Sequence, residues 1–105
     1  MQRVKIKVII MIIGYCKLRF SAEWVTSLKE KRMVVKSIVE KAKHKFNISA
    51  AEIDCQDIHQ TIAVGFSCVT NDAVLAERII NNVIDYMEYN TDAVLEDTET
   101  DILRV

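Results

Sequence analysis

Between residues 2 and 20 apolar side chains recur at every second position. The even positions carry Val4, Ile6, Val8, Ile10, Ile12, Cys16, Leu18 and Phe20. The odd positions carry Arg3, Lys5, Lys7, Lys17 and Arg19, with Ile9, Met11, Ile13 and Tyr15 between them. A period of two predicts a strand with its even residues toward a core. The parity persists well beyond the usual strand of about five or six residues. The strand is therefore expected to begin before Met11, to exceed about ten residues, and either to bend near Gly14 or to project beyond its sheet. An exposed edge of this pattern invites pairing, within the chain or across a dimer.

The pattern changes period at Ser27. Leu28, Val35, Ile38, Val39, Ala42 and Phe46 fall on one helical stripe, which predicts an amphipathic helix over Ser27–Phe46. Ser27 followed three residues later by Glu30 is a capping box, in which Glu30 reaches back to the N–H of the cap. The opposite side of the stripe carries Lys29, Lys31, Arg32, Lys36, Lys41, Lys43 and Lys45, opposed by Glu30 and Glu40.

Further along, Ile48–Cys55 reads as a second strand of imperfect alternation, in which Ala51, Ile53 and Cys55 share a face and Ile48 fits only with a bulge or an early start. Gln56–Ile58 is a turn. His59–Thr70 is a third strand with Ile62, Val64, Phe66 and Cys68 inward. Thr70, Asn71 and Asp72 are candidate caps for a second helix to about Tyr89, packed through Ala76, Ile79, Ile80, Val83 and Met87. Ala93–Val105 is a fourth strand, with Val94, Thr98, Thr100 and Ile102 on one side and Leu95, Asp97, Glu99, Asp101 and Leu103 on the other. Strand, helix, strand, strand, helix, strand is two split βαβ units. It predicts a single α+β ferredoxin-like domain over 1–105, with residues 1–10 extending the first strand. Right-handed crossovers set the strand order 4-1-3-2, with both helices on one face of an antiparallel sheet.

The formal net charge of −1 hides a split: residues 1–47 sum to +9 and residues 48–105 to −10. Such asymmetry either neutralises itself within one fold or marks a site for nucleic acid or an acidic partner. Three cysteines without metal-type spacing argue against a disulfide framework and fit a reducing cytoplasm. Arg3, Lys5 and Lys7 before the apolar run Val8–Cys16 resemble the start of a signal peptide. However, no small-residue cleavage site follows, Tyr15 is too large for a lipoprotein-type site, and the run is short of the roughly 20 residues a membrane span needs. No membrane segment is expected.

Candidate chemistry is sparse. Asp54, Asp57 and His59, with Glu52, are the one polar cluster that could be tested as a metal or proton-transfer site. Aspartates in turns commonly bond their own backbone, and that is the expectation here. There is no nucleophile elbow and no phosphate-binding loop, so no catalytic residue and no cofactor is assigned. The sequence Gly65-Phe66-Ser67-Cys68-Val69 partly echoes a strand motif of RNA-recognition modules. Phe66 shares its face with the core residues of that strand, which excludes stacking on bases.

SLKEKR at Ser27–Arg32, FN at Phe46–Asn47, AEIDCQD at Ala51–Asp57 and TND at Thr70–Asp72 together resemble the small bacterial DUF503 proteins, also called YlxP-like. The resemblance spans Met11 to about Leu103. It implies the ferredoxin-like fold and no established activity. It also implies a start near Met11–Gly14, so that residues 1–10 are an extension or an upstream start. Its members are often encoded beside translation-initiation and ribosome-maturation factors. The resulting expectation is a small non-enzymatic binding module. It would use a basic helix face (Lys29, Arg32, Lys36 and Lys43) toward ribosomal RNA or a translation-related protein. The alternative is a self-associating protein, a homodimer through the first strand or the open sheet face. A metal-dependent enzyme comes third.

Overall fold

The computed structural model describes residues 7–105. Its elements are β1 (Ile12–Ser21), α1 (Leu28–Lys45), β2 (Ser49–Asp54), β3 (Thr61–Thr70), α2 (Ala73–Tyr89) and β4 (Val94–Arg104). The strands form one antiparallel sheet in the order β2-β3-β1-β4, the expected ferredoxin-like topology. The core lies between one sheet face and the two helices. Leu18, Phe20, Ile62, Val64 and Phe66 from the sheet meet Val35, Ile38, Val39 and Ala42 of α1 and Ile80, Val83 and Met87 of α2.

Gly14 decides how closely α2 approaches. A Cβ at this position would sit 2.9 Å from Ile80 Cδ1, 3.2 Å from Cys68 Sγ and 3.5 Å from Ala76 Cβ. The glycine is thus a docking position for the helix, where the sequence suggested a bend. Each helix starts on a side-chain cap. Ser27 Oγ accepts the Glu30 N–H at 3.1 Å, and Asp72 Oδ1 accepts the Val74 N–H at 2.9 Å. Glu30 returns its bond to the N–H of Thr26, at 3.1 Å, one residue before the expected cap N–H.

Three expectations are corrected or completed. First, β1 starts at Ile12 and is ten residues long. Met11 adds one last backbone pair, with Val105, at 2.8 and 2.9 Å. Lys7–Ile10 belong to no strand, and the positions before Lys7 lie outside the described residues. Alternation along one strand says which way side chains point; it does not say how far a partner strand extends, and here the ladder with β3 ends at Thr70.

Second, the face that Ala51 and Ile53 share in β2 is the open one, away from the helices. Ala50 and Glu52 lie opposite Phe66 and Val64, and so face the helices, while Ala51 faces outward opposite Gly65. Ile53 is the extra residue of a bulge between Glu52 and Asp54, and its side chain covers Gly65 on the open face.

Third, a bulge in β4 opposite Arg19/Phe20 puts Leu95 opposite buried Phe20 and Val94 opposite Ser21. Leu95 therefore packs on the core and Val94 is exposed, the reverse of the simple alternation. A bulge inserts one unpaired residue and inverts the facing of everything beyond it.

Candidate functional site

The helix α1 shows one face to the sheet and one to solvent. Val35, Ile38, Val39 and Ala42 are buried, while Lys29, Arg32, Lys36 and Lys43 are all exposed. The four lie at spacings of three, four and seven. Lys29, Arg32 and Lys36 are therefore consecutive along one row, and Glu40 occupies the step between Lys36 and Lys43. Lys43 Nζ stands 3.8 Å from Glu40 Oε1. Among the described residues, no acid lies within 4.0 Å of Lys29, Arg32 or Lys36. Arg32 and Lys36 also flank a groove of about 310 Å³ between α1 and β2, floored by Val35, Val39 and Ala50. At the start of the helix a cleft of about 510 Å³ opens between Lys29, Met33 and Trp24 on one side and Asn90 and Asp92 on the other.

Lys31 does not belong to the basic face on which the sequence placed it. It is 1% exposed. Its ammonium donates to the carbonyl of Cys55 and to that of Ile58 at 2.6 Å, and stands 3.3 Å from Glu52 Oε2. The last contact lies outside hydrogen-bonding angles, so Glu52 Oε2 is held by charge and lacks a directed partner. A buried ammonium is tolerated only when paired and bonded, and the turn between β2 and β3 is shaped to do this. Cys55 adopts a left-handed φ of 60°, which turns its carbonyl toward α1. Gln60, at the end of the same turn, donates through Nε2 to the carbonyls of Glu23 and Val25 at 3.1 and 3.3 Å. The β2–β3 turn is thereby tied both to the helix and to the loop that carries Trp24. The signal available in the sequence was that Lys31 lies three residues after the apolar Leu28 and four before Val35, inside the stripe.

The polar cluster of the turn is divided. Glu52 points inward to Lys31. Asp54 accepts its neighbour's N–H, Cys55 N, at 2.7 Å, and Asp57 and His59 are exposed. Among the described residues, no three His, Cys, Asp or Glu side chains converge to hold a metal ion. Phe66 is buried in the core, which closes the sheet face to base stacking through that residue. Burial pushes the Cys16 thiol up to about 11 and raises that of Cys68 as well; both thiols are inert toward nucleophilic chemistry near neutral pH.

The open face of the sheet is charge-paired where β1 meets β4. Lys17 lies opposite Glu99 and Arg19 opposite Asp97, and Lys17 Nζ is 3.6 Å from Glu99 Oε2. Among the described residues, no helix is long and apolar enough to cross a membrane.

The family described as "Protein of unknown function (DUF503)" matches residues 13–100. An "Uncharacterized protein YlxP" of Bacillus subtilis (strain 168) is 37% identical over 62 residues, which are 59% of this chain and 67% of that protein. Two designed proteins are among the more distant structural matches. "De novo designed protein Foldit4" has a TM-score of 0.44 at 13% identity, covering 90% of this chain and 96% of that one. "De novo designed protein Ferredog-Diesel" has a TM-score of 0.41 at 9% identity, covering 96% and 92%.

Proposed function

This chain belongs to the DUF503 family of proteins of unknown function, and from that premise we propose that it is a small non-enzymatic binding module whose exposed basic helix docks on RNA. The observation that carries the reading is the row Lys29, Arg32 and Lys36. These are three exposed cations on one helix face with no acidic neighbour within 4.0 Å among the described residues. A row of this kind matches the repeating charge of a phosphate backbone. Two of its three cations are lysines, point charges that suit phosphate oxygens, so the row chiefly positions and carries little sequence information.

The rigid mounting of the helix supports the same reading. Lys31 and the capping box fix α1 against the β2–β3 turn, so the row is held in place when the partner arrives, and little order has to be imposed on binding. The translation-associated setting that the family resemblance implies points to ribosomal RNA in the cytoplasm. The test is binding of the purified protein to ribosomal RNA at graded salt, comparing the parent with Lys29→Gln/Arg32→Gln/Lys36→Gln. Equal affinity and equal salt dependence would leave these residues a role in solubility alone.

A further inference from the structure

We propose that the outer edge of β4 receives the N-terminal arm, Arg3–Val8, of a second copy of this chain as an added strand. The proposal is independent of the reading of α1 and uses a different surface.

The receiving edge comes first. The strand order leaves β4 with one partner, β1. The strand is 11 residues long and free of proline and lysine, two of the residues that blunt an edge; its bulge lies near one end, between Leu95 and Asp97. The other edge, β2, is six residues long, which makes it the shorter template. On the open sheet face β4 presents Asp97, Glu99 and Asp101 at alternate positions, and β1 answers with Lys17 and Arg19 alone. Two β4 edges placed side by side would oppose like charges, which destabilises a strand pair. The edge is thus closed to its own kind and open to a basic strand.

The arm is that strand. Arg3, Lys5 and Lys7 alternate with Val4, Ile6 and Val8. The three cations have the spacing of Asp97, Glu99 and Asp101, so one register sets each cation beside an acid on one sheet face. Such pairs and the ladder between them are the usual terms of strand addition.

The geometry selects a second copy over the same chain. Met11 pairs with Val105, so the chain upstream of Met11 leaves the sheet past the end of β4. To reach its own β4 edge, the arm would have to reverse within Lys7–Ile10. That stretch is Lys-Val-Ile-Ile, three of its four residues β-branched and none of them a turn former, and such residues favour extended backbone. Val8 and Ile9 are 79% and 82% exposed on their own domain, apolar side chains that a neighbouring molecule would cover.

The test uses the full chain and measures molar mass by light scattering against concentration, with circular dichroism to confirm folding. The parent is expected to give twice the 12.0 kDa chain mass. The acidic-arm variant Arg3→Glu/Lys5→Glu/Lys7→Glu and the basic-edge variant Asp97→Lys/Glu99→Lys/Asp101→Lys are each expected to be monomeric, because each opposes like charges. Mixed in equal amounts they should restore the doubled mass, since each arm then meets an edge of opposite sign. If either variant loses its fold, Gln at the same positions replaces the reversal and should weaken dimerisation at least tenfold. A parent that is monomeric at every concentration overturns the proposal. So does a dimer whose affinity neither set of variants changes, and so does a failure of the mixture to reassociate.

Discussion

The ammonium of Lys31, on the first turn of α1, donates to the carbonyl of Ile58 across 2.6 Å, a bond between residues 27 apart in the chain. The same ammonium donates to the carbonyl of Cys55, which joins two stretches that carry the family resemblance, Ser27–Arg32 and Ala51–Asp57, in one structural device. The turn's carbonyls need a donor, and the buried ammonium needs acceptors and a counter-charge. Each requirement is met by the other.

Replacing Lys31 by Met keeps the length of the side chain and removes its donors. Glu52 is left as a half-enclosed charge, and the Cys55 and Ile58 carbonyls lose their partner. Breaking such a pair costs about 3–5 kcal/mol, measurable as a lower urea midpoint. Adding Glu52→Gln should recover part of the loss, because the uncompensated charge is gone. A loss below about 0.5 kcal/mol, as for ordinary surface substitutions, would show that the turn does not depend on Lys31.

The basic row has a quantitative signature. Each phosphate contact removed lowers the slope of log affinity against log salt by about 0.7 to 0.9. The Lys29→Gln/Arg32→Gln/Lys36→Gln variant should therefore lose about two to three units of slope with its unfolding midpoint unchanged. Lys43→Gln should lose less than the roughly 0.7 units of one full phosphate contact, because Glu40 already stands 3.8 Å from that ammonium. A filter-binding series from low to high salt reads both.

Gly14→Ala places a Cβ against Ile80 Cδ1. Over-packing of this size costs about 1 kcal/mol when the obstructing atom is the end of a side chain, and up to about 3 when the helix must move. Ile80→Val removes the obstructing methyl. In that background the cost of Gly14→Ala should shrink, a coupling that a denaturant double-mutant cycle detects. Equal costs in both backgrounds would place the strain elsewhere.

Cys16 gives a pH dependence with a definite sign. Its thiol is raised from the ordinary 9.0 to about 11 in the folded state. Between these values the unfolded chain has released a proton that the folded one retains. Stability is therefore whole below pH 9.0 and declines as pH rises toward 11, by roughly 2 kcal/mol. Unfolding free energies of the parent and of Cys16→Ala, compared at mild and high alkaline pH, isolate the effect from other groups. The gap between them should narrow as pH rises.

Local periodicity was sufficient for most of the fold. The period-two runs at Ile12–Phe20 and Ile62–Cys68, the helical stripes of α1 and α2, and the caps at Ser27 and Asp72 each follow from the geometry of a single element. Their order then leaves few topologies, and the observed strand order is the one that right-handed crossovers require. The basic row was legible for the same reason, since spacing on a helix fixes which cations share its outer face.

Local pattern stops being informative where two elements must meet. The facing of Ala50, Glu52, Val94 and Leu95 depends on bulges, and a bulge is set by the register of the neighbouring strand, which local alternation does not encode. The length of β1 depends on where its ladder with β3 ends, at Thr70. The burial of Lys31 depends on carbonyls supplied 24 and 27 residues later. A lysine reads as a surface residue in any local window, because only a distant partner can offset the cost of burying its charge. Tertiary structure alone brought Lys31 together with its acceptors and its counter-charge.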